Sequence, residues 1–120
     1  MTEVQCLFCR IVAGEIPAQL VYDTDRLLAF RDIAPKAPVH VLVIPKRHYA
    51  TVAELTVADS ELAGALLRVA CEVAASEGIA DDGYRVLFNT GSHGGQEVPH
   101  VHAHVLGGEP LGPMLAPVTR

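Results

Sequence analysis

The 120-residue chain has the composition of one compact soluble domain, because 50% of its residues are hydrophobic and only 19% are charged. Its net charge of -5 and its scattered basic residues exclude nucleic acid as an expected partner, while a small anionic ligand stays compatible. No signal peptide or membrane span is recognisable, and three cysteines are too few for a disulfide scaffold. We therefore expect a cytoplasmic protein that makes no contact with a membrane.

The first half of the chain predicts a short helix followed by three strands. The helical turn covers Cys6 to Ala13 and closes at Gly14, since glycine suits a helix end. Two prolines within 34–38 predict a loop there, because proline interrupts regular structure. The strands are expected over 19–22, 27–30 and 39–44.

The second half predicts one long helix and two further strands. The helix is expected to begin with a capping box at Thr56–Asp59, to bury Cys71 and to end near Gly78. Its apolar residues recur at helical spacing: Leu62, Leu66, Val69 and Val73. Strands are expected over 84–89 and 101–106, joined by a glycine-rich connection at 90–97. Without βαβ alternation, this order favours an α+β fold with a mainly antiparallel sheet.

Three histidines alternate with apolar residues in the last predicted strand. Because successive side chains of a strand point to opposite faces, His100, His102 and His104 would share one face. The intervening Val101, Ala103 and Val105 would face the core. A single histidine on a strand is usually structural, but three on one face of an apolar strand indicate a site of chemistry.

Two further features could extend this histidine face. Glycines of the 90–97 connection allow close approach of a ligand, and successive amides there could bind an anion; an ordinary hairpin loop is the alternative. His40 opens the strand over 39–44 and is structural unless that strand pairs beside the histidine strand.

Cys6 and Cys9 have the spacing of half a zinc site. Tetrahedral zinc needs four ligands, and the chain has no second Cys-x-x-Cys. His48 and one histidine of the triplet are candidates for the missing ligands. A redox pair is the alternative, although the motif does not follow a strand in a βαβ pattern.

These residues together resemble the histidine triad (HIT) family, whose signature is His-x-His-x-His followed by two apolar residues. Here it reads His100-Val101-His102-Ala103-His104-Val105-Leu106. Motifs within 14–19, 28–40 and 43–46, and Gly94-Gly95-Gln96, agree with the family in order and spacing. The ending Val105-Leu106-Gly107-Gly108 resembles the Hint branch, the nucleoside phosphoramidate hydrolases.

The resemblance implies a single HIT domain over 1–120, with a C-terminal tail at 109–120. The implied fold has a mainly antiparallel five-stranded sheet, one long helix and a short N-terminal helix. It also implies a homodimer joined through the long helix and the strand around 84–89, with the tail near the partner's site.

The resemblance implies covalent catalysis without a cofactor. His102 would attack the α-phosphorus of a nucleoside 5'-phosphoryl substrate, and water would hydrolyse the nucleotidyl-histidine. His104 and His40 would hold the phosphate oxygens and supply a positive field, and His100 would orient the nucleophile through its backbone carbonyl.

The resemblance also implies a purine nucleotide site. Asn89 and the amides near Gly95 and Gln96 would complete the phosphate cradle, and Asp32 would bind the ribose hydroxyls. The base would lie in an apolar slot formed by Leu7, Phe8, Ile11, Ile33 and Leu42. For these apolar residues, and for Leu42 above all, ordinary core packing is the alternative.

Two positions depart from the animal Hint proteins. Glu97 replaces a serine that helps to protonate the leaving amine, which leaves the proton donor open and suggests contact with a cationic amine. Cys6 and Cys9 resemble bacterial members, in which zinc is held by two cysteines and by histidines matching His48 and His100.

The sequence is thus interpreted as a purine nucleoside phosphoramidate hydrolase of the Hint type. A dinucleoside polyphosphate hydrolase or nucleotidyl transferase of a sister branch is the first alternative. A non-catalytic nucleotide-binding or interaction module is the second.

Overall fold

The computed structural model describes residues 5–116. The start of the predicted single domain and the end of the predicted tail lie outside the described residues. The described elements, in chain order, are α1 (Leu7–Val12), β1 (Leu20–Asp23), β2 (Leu27–Arg31), β3 (Val39–Pro45), α2 (Val52–Ala58), α3 (Ser60–Ser76), β4 (Tyr84–Leu87), α4 (Gly91–Gly94) and β5 (Ala103–Gly107). None of the helices within 5–116 is long and apolar enough to cross a membrane.

The five strands form one sheet in the order β1-β2-β3-β5-β4, and every neighbouring pair is antiparallel. The predicted α+β class and antiparallel sheet are therefore confirmed. Strands β3 and β5 are central neighbours, with His40 opposite Leu106 and Leu42 opposite His104. This pairing meets the condition under which His40 belongs to the histidine face.

The two faces of the sheet carry separate apolar clusters. On one face Val101, Ala103 and Val105 pack with the apolar residues of α3, as the alternation predicted. On the other face α1 covers the sheet, and the cluster consists of Cys6, Phe8, Leu28, Phe30, Leu42 and Ile44. The histidines lie on this second face, so α3 supports the sheet from behind and leaves the histidine side for a site.

The predicted start of the long helix is wrong, because a separate helix, α2, precedes α3. Thr51 caps α2 by accepting the Glu54 N–H (3.2 Å), and the Glu54 carboxylate accepts the Ala50 N–H (2.7 Å). Asp59 caps α3 by accepting the Leu62 N–H (3.0 Å). Thr56 lies inside α2 and donates its hydroxyl to the Ala53 carbonyl, so the capping box stands five residues earlier than predicted.

Three smaller expectations are also corrected. Cys71 is exposed and does not belong to the apolar cluster between α3 and the sheet. Strand β5 begins at Ala103, since the Val101 N–H bonds to the Tyr49 carbonyl (2.7 Å) outside the ladder. Strand β4 ends at Leu87, and the glycine-rich connection that follows contains the short helix α4.

Candidate active site

A cavity of about 580 Å³ opens on the histidine face of the sheet. Most of the residues predicted to bind or react with a nucleotide line it: Leu7, Phe8, Ile11, Asp32, Ile33, His40, Leu42, Asn89, Gly95, Glu97, His102 and His104. The size suits a small-molecule ligand, which commonly occupies several hundred Å³. His100 and Gln96 were predicted at this site but do not line the cavity.

His102 presents one ring nitrogen for reaction. Its Nδ1 lies 2.8 Å from the His100 carbonyl oxygen, which can only accept, so Nδ1 carries the proton and donates it. The lone pair therefore sits on Nε2. Burial lowers the pKa of His102, partly offset by the His100 carbonyl and by the charges of Asp32 and Glu97, and the ring packs against Phe8 (centroids 5.0 Å apart). His102 is thus buried, oriented and neutral at pH 7, as a nucleophile requires.

His40 and His104 form a hydrogen-bonded pair in which the position of each ring proton can be assigned. The Lys36 backbone N–H donates to His40 Nδ1 (3.1 Å), so the proton of neutral His40 is on Nε2. His40 Nε2 lies 2.9 Å from His104 Nδ1 and donates to it, which leaves the proton of His104 on Nε2. That Nε2 is buried and has no hydrogen-bond partner among the described residues. The centroid of the His104 ring lies 4.9 Å from that of the His102 ring. This N–H can therefore donate a hydrogen bond to a ligand atom that is bound beside the nucleophile.

The histidines of the free site carry little positive charge at neutral pH. Burial lowers the pKa of His104 to about 4, with the neighbouring His102 and His40 adding to the effect. Burial also lowers the pKa of His40, although Asp32 opposes it. The positive field expected from the imidazoles is therefore absent until a bound anion raises these pKa values, and the free site offers N–H dipoles instead.

Behind the cavity four residues form a candidate metal centre: Cys6, Cys9, His48 and His100, whose ligand atoms all lie within 4.8 Å of one another. Cys6 Sγ and Cys9 Sγ approach His100 Nδ1 at 3.3 and 3.5 Å, and Cys9 Sγ approaches His48 Nδ1 at 3.3 Å. His100 Nε2 donates to the Pro45 carbonyl (2.8 Å), which leaves the Nδ1 lone pair toward the cysteines. This donor set and its second-sphere hydrogen bond fit tetrahedral zinc.

Asp32, His40 and His104 also bring three possible ligand atoms within 4.8 Å, with Asp32 Oδ2 at 3.5 Å from His40 Nε2. A metal there would need the lone pair of His40 Nε2. The proton of His40 would then move to Nδ1, where it would meet the Lys36 N–H. The backbone thus disfavours a metal ion at this cluster and favours its use as a hydrogen-bond donor.

The predicted nucleoside end of the cavity is partly core and partly surface. Leu42 is only 5% exposed and belongs to the apolar cluster under the cavity. It therefore both packs in the core and lines the cavity. Ile33 is 98% exposed at the cavity rim, where an apolar side chain has no core to join. Asp32 accepts the Ala34 N–H through Oδ1 (2.8 Å), which holds its carboxylate at the cavity.

The glycine-rich loop differs from the anion cradle that was predicted. The Gly95 N–H already donates to the Ser92 carbonyl (3.1 Å) and the Gln96 N–H to the Gly91 carbonyl (3.0 Å). Neither amide is free for a phosphate oxygen while this turn is closed. The Gln96 side chain bonds away from the cavity, to Ala50 and Val98.

Sequence reasoning missed the backbone groups that set the histidine tautomers. The Lys36 N–H and the Pro45 carbonyl act through the main chain, so no residue type signals them. It also missed apolar lining residues, among them Ile16, Leu87 and Leu106. Only Leu106, two residues after His104 on the same face of β5, could have been found from alternation.

The HIT domain family profile matches residues 13–111. A protein of Escherichia coli (strain K12) named purine nucleoside phosphoramidase is 49% identical over 112 residues, which cover 93% of this chain and 94% of that one. Protein HitA of Neisseria gonorrhoeae is 44% identical over 85% of this chain and 94% of its own length.

Solved structures that are similar to this chain belong to the same family as these relatives. The crystal structure of a HIT family hydrolase from Legionella pneumophila Philadelphia 1 is 50% identical, covers 90% of this chain and 100% of that one, and has a TM-score of 0.85. A histidine triad protein from Clostridium difficile is 41% identical, covers 96% of this chain and 100% of that one, and has a TM-score of 0.89. The fold and the histidine motif were thus assigned correctly from the sequence.

Proposed function

The chain belongs to the histidine triad (HIT) family, and we propose that this hydrolase cleaves the P–N bond of purine nucleoside 5'-phosphoramidates. The observation that carries the proposal is His102, which keeps a lone pair on Nε2 and lines the cavity beside His104, whose Nε2–H has no hydrogen-bond partner among residues 5–116. A nucleophile and a donor for the phosphate oxygen are thereby held side by side. The name of the E. coli relative supports the same substrate class.

In the first step, the lone pair of His102 Nε2 attacks the α-phosphorus and forms a P–N bond. The bond from phosphorus to the substrate amine breaks, and its electron pair leaves with the nitrogen, which takes up a proton from solvent; the attacking water returns one proton to solvent in the second step. The His100 carbonyl accepts from His102 Nδ1–H and stabilises the positive charge that develops on the ring. His104 donates its Nε2–H toward a non-bridging oxygen, where charge accumulates, and His40 fixes that proton on Nε2 by donating its own Nε2–H to His104 Nδ1.

In the second step, water attacks the phosphorus and the bond to His102 Nε2 breaks. The ring regains its lone pair, and the nucleoside monophosphate leaves with the oxygen of the water. Glu97 lines the cavity, and its charge acts on His102, so we assign it the contact with the departing amine. No cofactor takes part in either step.

The remaining site residues are assigned to the nucleoside. Asp32 would accept the ribose hydroxyls, and Asn89 would lie against the phosphate. Main-chain contact of the phosphate with Gly95 or Gln96 would require their closed turns to open. The base would occupy the slot formed by Leu7, Phe8, Ile11, Ile33 and Leu42.

We propose zinc for the Cys6, Cys9, His48 and His100 cluster, because two thiols and two imidazoles are the donors that zinc prefers. When bound, the ion supplies a cross-link between segments and no reaction step. Cys6 also caps α1 through its Sγ, which accepts the Cys9 N–H at 3.4 Å. The cluster therefore ties α1 to the segment that carries His100 and its orienting carbonyl.

We also propose one domain over 1–120 that works in the cytoplasm as a homodimer. The open edge of β4 and the exposed Leu67 of α3, 48% accessible, support an interface through these two elements. The tail near Gly112, held by the Arg85 guanidinium (2.9 Å), runs beside the same edge. A monomer mass in solution at micromolar protein would refute the dimer.

The deciding experiment compares adenosine 5'-phosphoramidate with diadenosine triphosphate. We expect the wild type to release AMP from the phosphoramidate and His102→Ala to lose this activity by more than about a thousandfold. His93→Ala is the matched control, because His93 is exposed on α4 and should leave the rate unchanged. Faster cleavage of the dinucleotide would favour the sister branch, and AMP binding without turnover would favour a binding module.

A further inference from the structure

The side chain of Gln96 joins both ends of its own loop to the segment before α2. Its Nε2 donates to the Ala50 carbonyl (2.7 Å) and to the Val98 carbonyl (3.0 Å), and its Oε1 accepts the Gly91 N–H (3.0 Å). The primary amide thus uses both of its N–H groups and its oxygen. A residue that satisfies three backbone groups at once holds their relative positions.

The segments that Gln96 joins lead to different parts of the site. Gly91 begins α4, after which Gly95 and Glu97 line the cavity. Val98 precedes Pro99 and His100, whose carbonyl orients His102. Ala50 lies two residues after His48 of the metal cluster and immediately before the cap of α2.

Other contacts of the same region leave the glycine-rich loop dependent on Gln96. The Val101 N–H bonds to Tyr49 (2.7 Å) and the His100 N–H to Val98 (2.8 Å), so the histidine segment has its own support. Within 90–95 the backbone bonds are local turns of α4. Of the hydrogen bonds found in residues 5–116, that from Gln96 to Ala50 is the one by which this loop reaches a segment distant in sequence.

We propose that Gln96 is a positioning residue, which locks the 90–98 loop to the segment before α2 so that Glu97 and Gly95 face His102. This inference rests on the proposed function for its substrate and deepens it. Gln96 touches neither the cavity nor the reacting atoms. It acts through the wall that stands beside the nucleophile, while the groups assigned to the nucleoside belong to α1, to β3 and to the residues that directly follow β2.

The test is Gln96→Met, which keeps the length of the side chain and removes all three hydrogen bonds. Because the loop wall moves and the nucleoside groups do not, we expect kcat for adenosine 5'-phosphoramidate to fall by about tenfold. The equilibrium Kd for AMP should stay within about twofold. Hydrogen exchange at the Gly91 amide should become faster, since its acceptor is lost.

Tyr22→Phe is the matched control, because it removes a side-chain hydrogen bond to Glu72 (2.8 Å) far from the cavity. It should change neither kcat nor exchange at Gly91. If Gln96→Met fails to fold, Gln96→Glu is measured in the same way, because it retains an oxygen toward Gly91 but loses both donors. An unchanged kcat, or an equal loss of kcat and of AMP affinity, would overturn the positioning role.

The same experiment separates this inference from the proposed function. If the wild type cleaves only diadenosine triphosphate, the substrate proposed above is wrong. The split between kcat and AMP affinity, measured with that dinucleotide, then still decides the role of Gln96. If the wild type turns over neither compound, both proposals fall.

Discussion

At the scale of single residues, backbone groups decide which ring nitrogen of each site histidine carries a proton. A carbonyl faces His102 Nδ1 and His100 Nε2, and an N–H faces His40 Nδ1. Main-chain atoms cannot be changed by most substitutions, so these protonation states are insulated from side-chain variation. The result is a lone pair on His102 and a free N–H on His104 before any ligand arrives.

The burial of His104 predicts a pH-dependent stability. Its pKa is lowered from 6.5 to about 4 in the folded protein, so the unfolded chain binds more protons between these values. The free energy of unfolding should therefore fall as the pH drops from 6.5 toward 4. In His104→Gln the free energy of unfolding should fall less over the same pH range. The difference from the wild type should be about 1–2 kcal/mol after allowance for partial exposure.

Urea denaturation at several pH values measures this difference, with His93→Gln as the exposed control. Parallel pH profiles for the wild type and His104→Gln would contradict the prediction. Contributions from groups that do not contact His104 are common to both proteins and cancel in the comparison, whereas those of His40 and His102 change with it.

Glu97 predicts a preference among leaving amines. Its carboxylate lines the cavity and would attract a cationic amine such as a lysine side chain. Glu97→Gln should reduce kcat/KM for a lysyl-type phosphoramidate about fivefold more than for a neutral amide, since a solvent-exposed ion pair is worth up to about 1 kcal/mol. An equal effect on both substrates, in steady-state kinetics, would remove this role.

At the scale of elements, capping shows how a correct residue pattern can be placed at the wrong helix. Thr56 and Asp59 have the spacing of a box, but Thr51 and Glu54 have it too and stand where the chain enters α2. Asp59 is nevertheless a true cap, of α3. Where two adjacent helices compete for neighbouring polar residues, only the break between them settles which residue caps which helix.

This assignment predicts that two threonine substitutions differ in their effect on the free energy of unfolding. Thr51→Ala should lower the free energy of unfolding by about 1 kcal/mol, because the Glu54 N–H loses its acceptor. Thr56→Ala, inside α2, should change it by less than about 0.5 kcal/mol. Chemical denaturation of both variants is sufficient, and the reverse order would restore the capping box at Thr56.

At the scale of the whole molecule, the metal cluster lies between elements that serve the two ends of the site. Helix α1 supplies Cys9 to the cluster and Phe8 to the cavity wall, and the Phe8 ring contacts both His100 (5.8 Å) and His102 (5.0 Å). A bound ion would fix α1 against the histidine segment. Metal occupancy would therefore be coupled to the shape of the proposed nucleoside slot through one short helix.

This coupling predicts the effect of removing the metal. Protein purified without chelators should contain zinc by elemental analysis, and Cys9→Ser should lose it. The Tm should fall by about 10 °C, and AMP should bind more weakly, because α1 loses its attachment. Cys71→Ser, which changes an exposed cysteine outside the cluster, should behave as the wild type. Absence of zinc from the wild type would refute the metal proposal.

The amino-acid sequence by itself determined the antiparallel sheet and the buried face of β5, because alternation assigns strand faces and the histidine motif is contiguous. Most of the predicted residues that line the cavity came from the resemblance to the HIT family. The fold and family came from several such motifs in order, and the membership is shown by the profile match over 13–111.

The tertiary structure alone decided the features that depend on distant partners. His40 meets His104 only because β3 pairs with β5, 64 positions along the chain. Cys71 lies outside the apolar cluster of α3 and is exposed, and Gln96 turns from the cavity because Ala50 lies within its reach. Pairing across the sheet and main-chain hydrogen bonds leave no trace in residue type, so no reading of the chain in order could supply them.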